Sequence, residues 1–206
     1  MDTTYSGTKK LIFEKAVELF SRDSFERVSL NDVAEQVGIR QSSIYNHFAT
    51  KQELLDAIYD FFIHRYYEQR LTVAQIEPII REGSISNIIH SLIFTFAEKN
   101  DKLLQQILVI VHQRKYFDPR ARHIAKEVII DGNIRYGKEV FDRAVEMGRL
   151  APFNTQHLSL MINYTRQCTY NRWILNPTPE FYRELLEDEN QLYEYFIITL
   201  VDLRQK

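Results

Sequence analysis

The sequence predicts an all-α protein, with an N-terminal three-helix helix-turn-helix domain followed by a C-terminal helical domain. Three observations carry that prediction. Apolar residues recur at spacings of three and four, as in Leu192, Tyr195, Phe196, Thr199, Leu200 and Leu203. No segment shows the strict apolar–polar alternation of a half-buried strand. Helix start and stop signals punctuate the chain: Ser29-x-x-Asp32, Gly38, Thr50-x-x-Glu53, Asp118-Pro119, Gly148 and Asn176-Pro177.

The elements follow in order. A first amphipathic helix is expected from about Thr8 to Asp23, with Leu11, Ile12, Ala16, Leu19 and Phe20 inward. Ser29 and Asp32 form a capping box for the second helix, with Val28 and Val33 as its hydrophobic staple. Gly38 stops that helix, because the position after a helix needs a left-handed backbone that glycine adopts without steric cost. Gln41 to His47 form the third helix, whose Ile44 and Phe48 face inward and leave Gln41, Ser42, Tyr45 and Asn46 outside. Thr50 and Glu53 form a second capping box and open a long helix carrying Leu54, Leu55, Ile58, Phe61, Phe62 and Tyr66. Beyond it, helices are expected over Ile85 to Glu98, Leu103 to Arg114, Asp118-Pro119 to Met147, Asn154 or Thr155 to the residues before Asn176-Pro177, and from Thr178-Pro179-Glu180 onward. Gly132 and Gly137 fall inside the Pro119–Met147 helix and mark a kink or a close approach.

Composition bounds the function. The chain has 206 residues and a net charge of −2, so bulk charge does not announce nucleic acid. Residues 1–51 are balanced as well: Lys9, Lys10, Lys15, Lys51, Arg22, Arg27 and Arg40 face Asp2, Glu14, Glu18, Asp23, Glu26, Asp32 and Glu35. Yet Gln36 to Gln52 holds no Asp or Glu, while it holds Arg40, His47 and Lys51. A short helix with a small, polar, acid-free outer face suits an anionic partner, with double-stranded DNA first, and its attraction must come from local placement. The single cysteine, Cys168, excludes an intrachain disulfide and fits a reducing cytoplasm. Lys9 and Lys10 lead into a helix with Glu14 and Glu18, unlike a signal peptide. No apolar run approaches the roughly 20 residues of a membrane span.

The segment resembles the DNA-binding domain of the TetR family of bacterial regulators. The likeness rests on Ala16, Leu19 and Phe20, then Val28 to Ala34, Val37-Gly38-Ile39, Ser42-Ser43-Ile44-Tyr45, His47-Phe48, and Lys51 to Leu55. It spans roughly residues 8–56. The resemblance implies a DNA-binding domain over residues 1–51 and a ligand-binding and dimerisation domain over 52–206. It implies that Ser29 touches a phosphate, that Gln41, Ser42 and Ser43 read base edges, that Asn46 is a variable outer position, and that Tyr45, His47 and Lys51 grip the backbone. Arg40 departs from the family, which often has Ser there as the helix cap. Arginine cannot accept the amide bond a cap needs; it can reach guanine O6/N7 or a phosphate.

The last two helical regions are apolar on more than one side, and a helix apolar on two sides is buried on two sides. In the family these helices pair in a homodimer; the plain alternative is a thick monomer core. Two recognition helices roughly 34 Å apart read a palindromic operator in successive major grooves. For a small-molecule effector, the aromatic and polar residues on otherwise apolar faces are Phe62, Tyr66, His90, Phe94, His112, Tyr136, Tyr164 and Trp173. Aromatics at helical spacing are more often plain core. The histidines form no close metal-ligand pair, so no metal and no cofactor is expected. The chain lacks G-x-S-x-G, a P-loop, H-E-x-x-H and C-x-x-C, so no catalytic residue is assigned. The reading is therefore a cytoplasmic, effector-responsive dimeric repressor. Its alternative is a helical small-molecule-binding protein or enzyme without DNA-binding activity.

Overall fold

The computed structural model describes residues 5–83, 85–92, 101–176 and 178–202, apart from the side chains of 85–86, 90–91, 179, 194 and 196–202. Among the described residues there are helices and no strand. In chain order they are α1 (Gly7–Asp23), α2 (Leu30–Val37), α3 (Gln41–Ile44), α4 (Lys51–Glu68), α5 (Val73–Glu82), α6 (Ile85–Leu92), α7 (Lys102–Arg114), α8 (Pro119–His123), a π-helical stretch (Ile124–Ile130), α9 (Asp131–Glu146), α10 (Thr155–Leu175) and α11 (Pro179–Asp202).

The chain forms two compact units, one of Met1–Gln69 with Glu98–Ala125 and the other of Arg70–Ala97 with Lys126–Lys206. Packing thus groups α4, α7 and α8 with the first three helices, whereas the expected division at 51/52 is one of function. The first unit is built on Ile12, Phe13, Ala16, Val17 and Phe20 of α1, which pack with Val33, Ile44, Phe48, Leu54, Leu55, Ile58 and Phe62 away from solvent. Leu11, expected inward, is 55 % exposed, and the fully buried Phe13 takes that place. A stripe two residues wide cannot hold three consecutive apolar positions, and the larger ring takes the core, 5.3 Å from Phe61.

The second unit is built around Ile76, Ile80, Ile88, Ile89, Val140, Phe141, Ala144, Ile162 and Tyr193. Its helix α5 lies outside the sequence expectation, although Thr72 and Gln75 form a full capping box. Pro78 lies within it and disguises it as a loop. The single helix expected from Pro119 to Met147 is broken by the π-helical stretch. The Glu127 carbonyl in that stretch accepts a hydrogen bond from Arg135 Nη2 at 3.3 Å. Gly137 marks a close approach: a Cβ there would stand 2.5 Å from Ser159 Oγ on α10.

Candidate nucleic-acid interface and ligand cavity

The reading surface is assembled from local signals. The Ser29 hydroxyl accepts from the Asp32 amide at 3.2 Å and donates to Asp32 Oδ2 at 2.8 Å, while the Ser29 amide donates to the same oxygen at 2.7 Å. Those bonds hold the Asp32 carboxyl below its usual range, the Ser29 amide contributing most. Gly38 ends α2 at φ 77° and ψ 29° and donates to the Ala34 and Glu35 carbonyls. The chain turns through Ile39 and Arg40 into α3, where Arg40 stands at the cap position without a side-chain cap bond. The α-helical part of α3 is shorter than expected. Turn bonds from Asn46 to Ser43 and from His47 to Ile44 carry the chain onward to His47. Ile44 and Phe48 plug the core at 0 % and 1 % exposure. Ser29, Arg40, Gln41, Ser42, Tyr45 and Asn46 face solvent, while Ser43 and His47 are half-buried.

Lys51 is placed differently from the others. Its ammonium donates to the Phe25 carbonyl at 2.7 Å and to the Val28 carbonyl at 2.8 Å. It also lies 4.2 Å from the Phe25 ring centroid. Burial pushes its pKa down. The charge that was expected on the DNA backbone thus ties the α1–α2 turn to the start of α4. Arg114 of α7 lies 4.3 Å from the centroid of the same ring, pairs with Glu26, and reaches Asp118 Oδ2 at 3.3 Å. Tyr59 of α4 donates its hydroxyl to Asp118 Oδ2 at 3.1 Å. Burial raises the Asp118 carboxyl, but the amides of Ala121 and Arg120, with Tyr59 and Arg114, outweigh it and leave its pKa lowered. Phe25, Glu26, Tyr59 and Arg114 were missed from sequence, since no local pattern links positions up to 88 residues apart. Glu53 also departs from expectation: Thr50 accepts from the Glu53 amide, but the Glu53 carboxylate reaches the Ala49 amide.

The candidate effector residues divide between the two units. Phe62 and Tyr66 lie in the first unit, their ring centroids 5.6 Å apart. His112, also there, sits 3.2 Å from Lys115 Nζ, and burial and then that charge lower its pKa. In the second unit, Trp173 packs edge-on against Tyr182 at 5.8 Å, and Tyr164 is 62 % exposed. Phe94 and the side chain of His90 lie outside the described residues. Among the described residues of the set, Tyr136 lines a cavity of about 30 Å³ in the second unit, with Leu92, Asn133, Phe141, Ser159, Ile162, Asn163, Arg166 and Tyr170. Sequence reasoning missed Arg166, whose guanidinium forms a buried ion pair with Glu189 at 3.1 Å. Among the described residues no helix is long and apolar enough to cross a membrane, and no cluster of side chains suits a metal.

A capped helix, a left-handed glycine turn and an exposed, acid-free second helix have the form of a helix-turn-helix DNA-binding element. Residues 12–58 match the family model described as bacterial regulatory proteins, tetR family. The chain is 28% identical over 106 residues to the HTH-type transcriptional regulator AcrR of Shigella flexneri, a match covering 49% of this chain and 47% of that protein. It is 22% identical over 138 residues to the nucleoid occlusion factor SlmA of Marinobacter nauticus, covering 63% and 70%. The fold matches that of a TetR transcription regulator from Haloarcula marismortui with a TM-score of 0.65 at 14% identity, covering 91% of this chain and 96% of that one. Residues 12–58 thus form a DNA-binding domain of the tetR type, and the chain is a DNA-binding transcriptional regulator of that kind rather than an enzyme.

Proposed function

We propose that the protein is a cytoplasmic repressor that binds a palindromic operator as a homodimer and leaves it when a small-molecule effector binds the second unit. The observation that carries this reading is the exposed face of Arg40, Gln41, Ser42, Tyr45 and Asn46, seated on two plugs and free of carboxylates. Gln41, Ser42 and Ser43 read base edges, Arg40 reaches a guanine edge or a phosphate, Ser29, Tyr45 and His47 grip the backbone, and Asn46 is a variable outer position. Residues 1–51 serve DNA, and residues 52–206 serve the effector and the partner subunit.

Exposed apolar residues support the homodimer. Tyr164 and Leu175 of α10 are 62 % and 86 % exposed, and Leu192 and Tyr195 of α11 are 47 % and 68 % exposed. Large apolar side chains left in water on neighbouring helices mark an interaction surface. Tyr164 belongs to that surface and not to a pocket. Release requires that the effector bind the DNA-free form better, and a hundredfold loss of operator affinity needs about 2.8 kcal/mol of such preference.

A gel shift with the intergenic DNA upstream of the gene tests the reading. A discrete complex that weakens steeply with salt and contains two protein chains is expected. Equal affinity for that DNA and for unrelated DNA would overturn it.

A further inference from the structure

The second unit holds a polar cavity whose hydrogen-bonding capacity is unevenly used. Arg166 is 6 % exposed, and one of its fork nitrogens, Nη1, pairs with Glu189 Oε2 at 3.1 Å. Its other fork nitrogen, Nη2, is buried without a hydrogen-bond partner. The second oxygen of Glu189 accepts from the Tyr193 hydroxyl, which also lies 3.1 Å from the Ile162 carbonyl. The ion pair is therefore neutral, and its carboxylate is satisfied on both sides.

Three neighbouring donors are already used. Tyr136 donates to the Leu71 carbonyl at 2.8 Å, Ser159 to the Ile134 carbonyl at 2.7 Å, and Asn163 to the Ser159 carbonyl at 2.9 Å. Beside them the cavity offers the unpartnered cationic donor of Arg166, against apolar walls that include Phe141 and Ile162. A buried donor without a partner is costly, so an occupant must bring an acceptor. A carboxylate would leave a net negative charge in a site whose cation is already neutralised, and an ammonium would meet the guanidinium directly. An uncharged acceptor meets neither cost. The cavity, at about 30 Å³, has room for a small head group and not for a whole larger molecule.

We propose that this cavity receives the uncharged carbonyl end of the effector, with Arg166 Nη2 as its donor and the apolar remainder at the mouth. This rests on the effector reading above.

Three matched probes test it on the full chain: butanone, propionate and propylammonium, each followed through the fluorescence of Trp173, the one tryptophan. Butanone should bind about tenfold more tightly than either ion, since only the ions add an uncompensated charge to the buried site. Its carbonyl stretch should fall below its value in water when bound. Arg166→Lys keeps the charge opposite Glu189 and removes the fork, so it should abolish both the preference and the spectral shift. The stretch on the unaltered protein decides the matter if that variant does not fold. Tightest binding by propionate or propylammonium overturns the proposal, as does an unshifted stretch. Binding of none of the three, with a water on Nη2, also overturns it and makes this a water site only. A separate gel shift isolates the reading beneath it: butanone bound at Arg166 without operator release keeps the site and sinks the effector role.

Discussion

Lys51 holds Phe25 from two directions, its ammonium 4.2 Å from the ring centroid and hydrogen-bonded at 2.7 Å to the carbonyl of the same residue. Arg114 reaches that ring as well, at 4.3 Å. The turn that feeds α2 is thus fastened to α4 by one cation and to α7 by another. A residue that the family resemblance places on DNA is placed here on the protein's own backbone.

Lys51→Met should therefore act first on stability. It removes two hydrogen bonds from a charged donor and one cation–π contact, a loss of about 2–4 kcal/mol. Thermal melting checks that, and operator titration across salt checks the alternative. A salt slope lower by about one unit per site, with melting unchanged, would return Lys51 to phosphate gripping.

Arg40→Ala and Gln41→Ala should change which operator is preferred, by about 1–3 kcal/mol at the affected base pair. Tyr45→Ala should weaken all operators alike, because a backbone contact carries no base information. Binding to a panel of singly substituted operators separates the two patterns. A uniform loss for Arg40→Ala would make it a phosphate contact.

Asp118 supplies acid sensitivity. Its carboxyl pKa is lowered in the folded protein, so its contribution is complete above the unfolded value of about 4 and is lost as pH falls through the folded value. Asp118→Asn should lower stability at pH 7 and flatten the decline below about pH 4. Denaturant unfolding at several pH values reads both effects. Parallel profiles for the two proteins would show that other carboxylates set the acid limit.

Gly137→Ala should destabilise the second unit by about 1–3 kcal/mol, because the new methyl meets Ser159 Oγ at 2.5 Å. In a Ser159→Ala background the nearest remaining side-chain atom is the Cβ at 3.4 Å, an ordinary contact, so the penalty should shrink. A double-mutant cycle measures the coupling. Additive costs would show that the helices separate freely at this crossing.

Legibility followed the range of each interaction. The Ser29–Asp32 box spans four residues, and its cap, its glycine stop and the plugs Ile44 and Phe48 stand where the sequence placed them. α5 was available through the same kind of signal at Thr72 and Gln75, but Pro78 hid it. The π-helical stretch Ile124–Ile130 has no comparable marker. Of the effector residues, aromatic character alone could not separate Tyr136, beside the cavity, from Trp173 in the core or Tyr164 in water.

By itself the sequence determined the all-α class, the helix-turn-helix and the exposed face of α3, because caps, stops and helical periodicity act within one or two turns of chain. Tertiary structure decided which charges remain available. Lys51 is engaged by carbonyls 23 and 26 residues away, and Arg166 is half-engaged by Glu189, 23 residues away on another helix. Such partners are chosen by helix packing, which no local pattern encodes, and they separate a cation that serves the fold from one that still has a donor to offer.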